Sequence, residues 1–470
     1  MELMRREGEL RMLKREIRKN KKDREQAERN YKFTVQSRTW KMLLPLRKII
    51  SFYQFVQSLL LGSKYRELKE ENRKLLEETL KLQQELKAVQ EEFKEKRYLE
   101  YVRITDNDGV RNKLRQAKQA GVIIDDLEQL IRKKQADELN YRNILKYAAR
   151  LFAHERSDYR EIVYNKTLSG FKIEEIPEFI VREAETSNTI PLKRASSFRA
   201  NLSIQARERQ LGMFVPAWVL DNKTVAYKFV DSLGVKRPWI TNKTFSRSHI
   251  PKEEGIVIKP QNGAGSRGVY LVLGFNEIQD VKRSQILHSW DDLLDHIEKD
   301  LSSGWVEHDE WVMEELIYED VKKKLPARDI KFYCFYGKIA LILEIQRFPV
   351  VKYCWWTSDK KRVRTGKYEE NLFEGRGISD KEIDLAAYIS SEIPAPFIRI
   401  DFLKSETGMV FGEFTPKPGN YDEFDELTDQ KLGDYYLDAK GRLFTDLLNG
   451  KQFHHFKKIA SDLDISFNKE

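Results

Sequence analysis

The sequence predicts an α+β protein: a body of antiparallel sheets with flanking helices, preceded by a long helical, coiled-coil N-terminal region. Three observations carry this. Residues 65–93 hold an apolar repeat alternating spacings of three and four. From about residue 200 the text changes to short strand-like runs separated by turns. The basic excess is confined to the N-terminal arm. Residues 1–64 contain 17 Lys and Arg against 7 Asp and Glu, which leaves 67 basic and 68 acidic residues for the rest. The net charge of +9 therefore belongs to the arm, and it points to an anionic partner there but not for the body.

The 470 residues leave room for two or three domains with a sizeable core. An apolar fraction of 40 % beside a charged fraction of 34 % suits globular parts joined to solvated helices. Two cysteines, Cys334 and Cys354, are too few for a disulfide framework and suit a reducing compartment. The opening MELMRREGELRMLKRE has no apolar signal-peptide core, so a cytoplasmic location is expected, and sequons such as Asn165-Lys-Thr read as coincidence.

In chain order, residues 1–61 read as a basic helix followed by an amphipathic aromatic segment. Within SRTWKMLLPLRKIISFYQFVQSLLLG, 37–62, Trp40, Phe52, Tyr53 and Phe55 mix with Lys41, Arg47 and Lys48. Its apolar stretches fall short of the ~20 residues of a bilayer span. Two readings stay open: a helix in the interface of an anionic membrane, at the inner face of the cell membrane, or an apolar helix packed on protein. Residues 62–100 read as a coiled coil. Tyr65, Leu68, Asn72, Leu75, Thr79, Leu82, Leu86, Val89 and Phe93 hold the repeat without a slip, and Asn72 at an a-type position suits a homodimer. Residues 101–195 read as a mainly helical connecting region, with Leu127, Leu130, Ile131, Ile144 and Leu145 at amphipathic spacing. TSNTIPLKRASS, 186–197, is linker-like. Residues 196–470 form the last domain, where the site chemistry lies.

There, GIVIKP ends a β-branched run at Lys259, NGAGSRG follows, and VYLVL returns as a second strand. A hairpin with a glycine-rich tip exposes backbone N–H groups suited to phosphate oxygens, and Ser266 and Arg267 add donors. No Gly-Lys-Ser/Thr closes the loop, so it is not a Walker A loop. Taken alone, it reads as a plain hairpin with a mobile turn. Three further stretches change that reading. DNKTVAYKFVDSLGVKRPWI, 221–240, puts Lys223 at the start of an amphipathic helix. EWVMEELI, 310–317, is an apolar strand ending in two acids. In FIRIDFLKSETGMVFGEFTPKPGN, 397–420, period-2 alternation puts Arg399 and Asp401 on one face of a strand and Glu413 and Thr415 on one face of the next. Joined by SETG, the two strands would pair antiparallel. Two acids from opposed strands suit a hard divalent cation that bridges phosphate oxygens.

The order of these motifs resembles the ATP-grasp superfamily, and GEFTPKPGNYDEF…KLGDYY together with DIKFYCFYGK resembles its TupA-like branch, linked to teichuronopeptide and surface-polysaccharide synthesis. The resemblance covers about residues 200–450. It implies an ATP-grasp domain using ATP and Mg²⁺. Lys223 and Lys259 would hold the phosphates, and the loop residues Gly263, Gly265, Ser266, Arg267 and Gly268 would close on them. Glu314, Glu315 and Ile317 would form the hinge that meets adenine, and Asp329 stands near the place of the ribose-binding acid. Asp401 and Glu413 would bind metal, and Arg399, with Lys259, would stabilise the reacting group. Thr415 stands where many relatives carry a metal-binding asparagine, which leaves the second metal open.

The resemblance implies a carboxylate–amine ligase working through an acyl phosphate, with an acidic small-molecule, sugar or peptide substrate. Two rival readings remain: a kinase phosphorylating a hydroxyl on the same fold, and a coiled-coil scaffold with an inactive domain. Nucleic acid is not an expected partner, since no recognisable module accompanies the basic arm. Residues 347–367, RFPVVKYCWWTSDKKRVRTGK, mix aromatics with cations and read either as part of a substrate site or as a solvated hairpin, the latter being preferred. Taken singly, each site residue has a plainer reading, such as an edge-strand charge or a turn acid. Their joint order points to an ATP site.

Overall fold

A computed structural model describes residues 47–187, 189–263, 265–347 and 350–462, with side chains described between 67 and 461. The basic helix expected at 1–30 and the start of the aromatic segment lie outside the described residues. Contacts divide the chain into two compact units, 1–163 and 164–470.

The first unit is helical. Helix α1 (Arg47–Val102) runs 56 residues without a break and contains the whole 65–93 repeat. No proline or glycine interrupts that repeat, and its Glu, Lys, Leu and Gln residues are strong helix formers. Leu68 and Phe93 on the repeat are 47 % and 51 % exposed. Helix α2 (Asn107–Gln119) is capped by Asp106, whose carboxylate accepts from the Gly109 N–H at 2.6 Å. Helix α3 (Ile123–Leu151) runs antiparallel to the end of α1. The buried Asp126 of α3 accepts from Arg97 at 2.5 Å and from the Tyr101 hydroxyl at 3.1 Å, and Lys133 reaches Glu95 at 3.0 Å. No described helix is long and apolar enough to cross a membrane.

Helix α4 (Ser157–Leu168) spans the division between the units, and α5 (Glu178–Thr186), α6 (Phe198–Gln210) and α7 (Lys223–Ser232) follow it. The linker-like residues 186–197 lie within the second unit, with Ile190 2 % exposed. Strands β1 (Ile256–Pro260), β2 (Tyr270–Gly274), β3 (Glu277–Asp280) and β4 (Gln285–Leu287) precede helix α8 (Trp290–Ser302), and β5 (Trp311–Glu315) follows it. These strands form a sheet in the order β4-β3-β2-β1-β5, antiparallel throughout. Ile256, Ile258, Tyr270, Val272 and Ile278 bury one face of it against Leu293 and Ile297 of α8.

A small ribbon of β6 (Tyr318–Asp320) and β7 (Leu325–Pro326) leads to the second sheet. That sheet contains β8 (Arg328–Phe335), β9 (Lys338–Gln346), β10 (Lys352–Thr357), β11 (Ile398–Ser405) and β12 (Gly408–Thr415), in the order β10-β9-β8-β11-β12. Helix α9 (Asp380–Ser391) enters between β10 and β11, and α10 (Glu426–Leu448) and α11 (His454–Asp462) close the unit.

Ile398, Ile400 and Phe402 of β11 and Phe332 of β8 face a core shared with Phe229 and Val230 of α7 and Ile389 of α9. Each such side chain contributes about 1.5–3 kcal/mol by leaving water. Asp329 and Lys331 of β8 and Arg399 and Asp401 of β11 alternate with these residues and face the other way. Residues 347–367 differ from a solvated hairpin. β10 is a full edge strand of the second sheet, Trp355 is buried, and so is Lys367. The aromatic residues of this stretch pay no penalty for being inside, and the sheet supplies partners for its backbone.

Candidate functional site

Each functional side chain is placed by one of four local devices. The first is the cap of α7. Asn222 precedes the helix and accepts from the Thr224 and Val225 N–H groups at 3.0 and 3.3 Å, which puts Lys223 on the first turn. A cation at a helix N-terminus meets the positive end of the peptide dipoles. Burial pushes the Lys223 ammonium below its usual value, and the like charge of Lys259 adds to this, against the pull of Glu413 and Glu314.

The second device is the β1–β5 register. Ile256 faces Glu315 and Lys259 faces Val312, so Lys259 and Glu314 lie on one face, and they form an ion pair. Alternation sends Glu315 to the opposite face, where its carboxylate accepts from the Trp239 N–H at 3.4 Å. Ile317, just beyond, is buried at 5 % exposure. Of the three residues expected at a hinge, only Glu314 therefore meets the lysines.

The third device is the glycine loop. Gly265, Ser266 and Gly268 all hold positive φ, at 68°, 61° and 70°. Glycine takes this region without steric cost, whereas Ser266 is held there under strain of about 1–3 kcal/mol. Gly268 is also hemmed in: a Cβ there would meet Val306 at 2.9 Å and Pro260 at 3.2 Å. A Cβ on Gly263 would meet Pro260 at 2.7 Å. Arg267 sits exposed beside them. Gly268→Ala is expected to distort the loop, raise the KM for ATP several-fold and lower the melting temperature by an amount equivalent to about 1–3 kcal/mol. Steady-state kinetics and thermal unfolding of the variant check this.

The fourth device is the paired register of β8, β11 and β12. Asp401 faces Glu413 on one side and Lys331 on the other, and Arg399 faces Thr415 and Tyr333. Arg399 grips Asp401 with two hydrogen bonds, both 2.7 Å, and donates a third to the Thr415 hydroxyl at 3.0 Å. Lys331 also pairs with Asp401. Burial opposes the charge of Asp401, but Arg399 and Lys331 outweigh it and hold the carboxyl below its ordinary value.

Asp329, two residues before Lys331, accepts from Arg347 Nε at 2.8 Å. Arg347 in turn donates to the Ser266 hydroxyl at 3.4 Å and so joins the glycine loop of the first sheet to the second sheet. The structure thus brings Lys223, Lys259, Glu314 and Glu413 into one electrostatic group, and Ser266, Asp329, Arg399, Asp401 and Thr415 into one bonded network. Asp401 and Glu413, facing each other, connect the two.

Sequence reasoning missed Lys331 and Arg347. Lys331 had a signal: it alternates with Asp329 in the quoted DIKFYCFYGK and so shares its face. Arg347 opens the 347–367 stretch that also reads as part of a substrate site, but its partners lie 18 and 81 residues away, beyond any local pattern.

The residues fit a nucleotide and a hard cation. Two lysines in each other's field favour an anion between them, and a glycine-rich turn at positive φ is the kind of loop whose N–H groups can face phosphate oxygens. The opposed carboxylates of Asp401 and Glu413 are oxygen donors of the kind Mg²⁺ takes. Among the described residues no group of three or more His, Cys, Asp or Glu side chains could hold a metal by itself. Mg²⁺ commonly relies on one or two carboxylates with substrate phosphates supplying the rest.

Two antiparallel sheets meeting at lysines, a glycine loop and paired acids define an ATP-grasp fold. The family model for TupA-like ATPgrasp matches residues 200–437, just over half the chain, and the chain belongs to that family. No curated protein matches it.

Among solved structures it is similar to a D-alanine–D-alanine ligase from Bacillus anthracis complexed with ATP. The identity is 14 %, over 57 % of this chain and 84 % of that one, with a TM-score of 0.30. It is also similar to the ATP-grasp ligase PsnB complexed with a phosphomimetic variant of a minimal precursor, Mg and ADP, at 14 % identity over 52 % and 68 %, with a TM-score of 0.28. A third is the N5-carboxyaminoimidazole ribonucleotide synthetase from Thermus thermophilus, at 10 % identity over 47 % and 52 %, with a TM-score of 0.27.

Proposed function

We propose that this protein is an ATP- and Mg²⁺-dependent carboxylate–amine ligase in polysaccharide or cell-envelope assembly, acting in the cytoplasm at the inner face of the membrane. The observation that carries the ligase reading is the cross-strand pairing of Asp401 with Glu413 within the electrostatic field of Lys223, Lys259 and Arg399. The polysaccharide setting rests on the family resemblance alone.

When bound, ATP would supply a γ-phosphoryl group to a substrate carboxylate, with ADP leaving and Mg²⁺ offsetting the phosphate charge, after which an amine would displace phosphate and lose a proton to give an amide. Lys223 and Lys259 offset phosphate charge, and Glu314 keeps Lys259 in place until that charge arrives. Asp401 and Glu413 would hold the metal, with Arg399 and Lys331 fixing the orientation of Asp401. Arg399, held by Asp401 and Thr415, would set its positive charge beside the reacting group as negative charge develops there. The loop at 263–268 covers the phosphates and limits water, which would hydrolyse an acyl phosphate.

A screen of amino-acid and uronic-acid pairs for ADP release by the full chain tests this. An amide product formed together with ADP supports the ligase. A stable phosphate ester establishes a kinase instead, and binding of ATP without turnover by any pair favours the scaffold.

The N-terminal region is proposed to form a homodimer through α1 and to meet an anionic membrane surface. The unbroken helix, its exposed Leu68 and Phe93 and the +10 arm support this. The full chain is expected to sediment as a dimer and to pellet with anionic but not neutral vesicles. Wild-type behaviour from a chain lacking residues 1–64 in the vesicle assay would remove the membrane part.

A further inference from the structure

Lys367 closes the cation- and aromatic-rich stretch 347–367, yet it is 1 % exposed. Its ammonium sits 4.8 Å from the centroid of the Tyr368 ring and 5.2 Å from that of Phe424, and it donates to the Gly419 carbonyl. Glu423 and Asp422 act on it only at a distance, and no described carboxylate forms an ion pair with it. Burial, followed by the like charge of Arg399, pushes this lysine down to about 8. A cation held inside without a counter-ion is costly, and an apolar side chain would fill the same space at no such cost. Packing alone does not account for a lysine here.

Its surroundings do. The turn at 365–368 is fastened to the stretch between β12 and α10. The Asp425 N–H donates to the Thr365 carbonyl at 2.8 Å, and Gly366 lies so close that a Cβ would meet the Asp425 nitrogen at 2.7 Å. The Trp355 indole donates to the Lys367 carbonyl at 2.9 Å, which ties the turn to β10. Lys367 spans the remaining gap. Gly419 is four residues beyond Thr415, and the chain between them, Pro416-Lys417-Pro418, includes two residues with no N–H to donate. The neighbouring Asn420 holds positive φ of 52°, so this stretch has little regular structure to steady it.

The geometry points to Lys367 as a positioning residue: by tethering the Gly419 carbonyl it fixes residues 416–420, and with them the end of β12 that sets Glu413 and Thr415 against Asp401 and Arg399. The kinetic part of its test rests on the ligase reading, and the exchange part does not.

In the full chain, Lys367→Met keeps the length of the side chain and removes its donor and charge. Hydrogen exchange of residues 416–424 is expected to quicken about tenfold or more, while β8 stays at its wild-type rate. The half-saturating Mg²⁺ concentration rises several-fold, and kcat falls about 10- to 100-fold, as a sub-ångström misplacement of metal-binding groups produces. KM for ATP stays within about twofold, because Lys367 touches neither the loop at 263–268 nor Glu314. Unchanged exchange at 416–424, or an equal rise across both sheets, overturns the inference. So does a fall in kcat with an unaltered Mg²⁺ response. If Lys367→Met does not fold, Lys367→Arg takes its place. It keeps the charge but displaces the donor, and faster exchange confined to 416–424 is again the expected result and no change the refutation. A wild-type chain that turns over no ATP sinks the ligase reading while leaving the exchange comparison to decide the role of Lys367.

Discussion

Lys259→Met is expected to lower ATP turnover by about 10²–10³-fold, the usual cost of removing one preorganised group that meets developing phosphoryl charge. It should also weaken the fold. Lys259 and Glu314 are only 15 % and 12 % exposed, so removing the lysine leaves a largely buried carboxylate without its partner, at a cost of about 3 kcal/mol. The two effects separate in Lys259→Met/Glu314→Gln. Neutralising both members removes the orphaned charge, so most of the melting temperature returns while turnover stays lost. Activity that recovers along with stability would mean that Lys259 acts only as half of a structural pair. Thermal unfolding and ADP release on the wild type and the two variants decide between these results.

Asp401→Asn is expected to have the second large effect. The carboxylate holds Arg399 through two hydrogen bonds and pairs with Lys331, and it faces Glu413 across the strand pair. The amide is nearly the same size but carries no charge, so it leaves two buried cations without their anion, and stability falls by about 3 kcal/mol. Turnover is expected to fall by about 10³-fold, and raising Mg²⁺ not to restore it, because one of the two oxygen sets proposed to hold the metal is gone.

The wild type has a matching acid limit. Because the folded-state carboxyl of Asp401 is depressed, its contribution to stability is fully present above the unfolded value of about 3.9 and is lost as pH falls through the lower folded value. In Asp401→Asn the acid side of the stability–pH curve should flatten. A curve of unchanged shape, from urea unfolding between about pH 5 and pH 2, would count against a charged Asp401 at the centre of this network.

How much of this was legible beforehand varies with the range of the interaction. The Arg399–Asp401 and Glu413–Thr415 faces followed from alternation along two adjacent strands. The short SETG turn sets Ser405 against Gly408 and Phe402 against Phe411, a register that would put Asp401 opposite Gly412; a one-residue shift between Phe402 and Asp401, which the sequence did not display, puts Asp401 against Glu413 instead. The Lys259 hairpin was legible because a β-branched run, a glycine loop and a second such run are all local signals. The opposed directions of Glu314 and Glu315 also follow from strand period, once β5 is known to extend to Glu315. The burial of Lys367 was not legible. Lysine, tryptophan and tyrosine in turn describe an exposed hairpin and a covered edge strand equally well until the chain that covers them is known.

The sequence by itself determined which residues share a face: the period of two in the strands, the unbroken repeat through α1 and the glycines needed where φ is positive are properties of neighbouring residues. Only the tertiary structure decided which faces meet. Arg347 reaches both Ser266 and Asp329, and Lys367 reaches Gly419, across separations of 18 to 81 residues. The physical reason is that backbone geometry and side-chain period act over a few residues. Contacts between distant segments depend on how whole sheets and helices bury their apolar faces, a sum over many weak interactions that no single stretch of sequence displays.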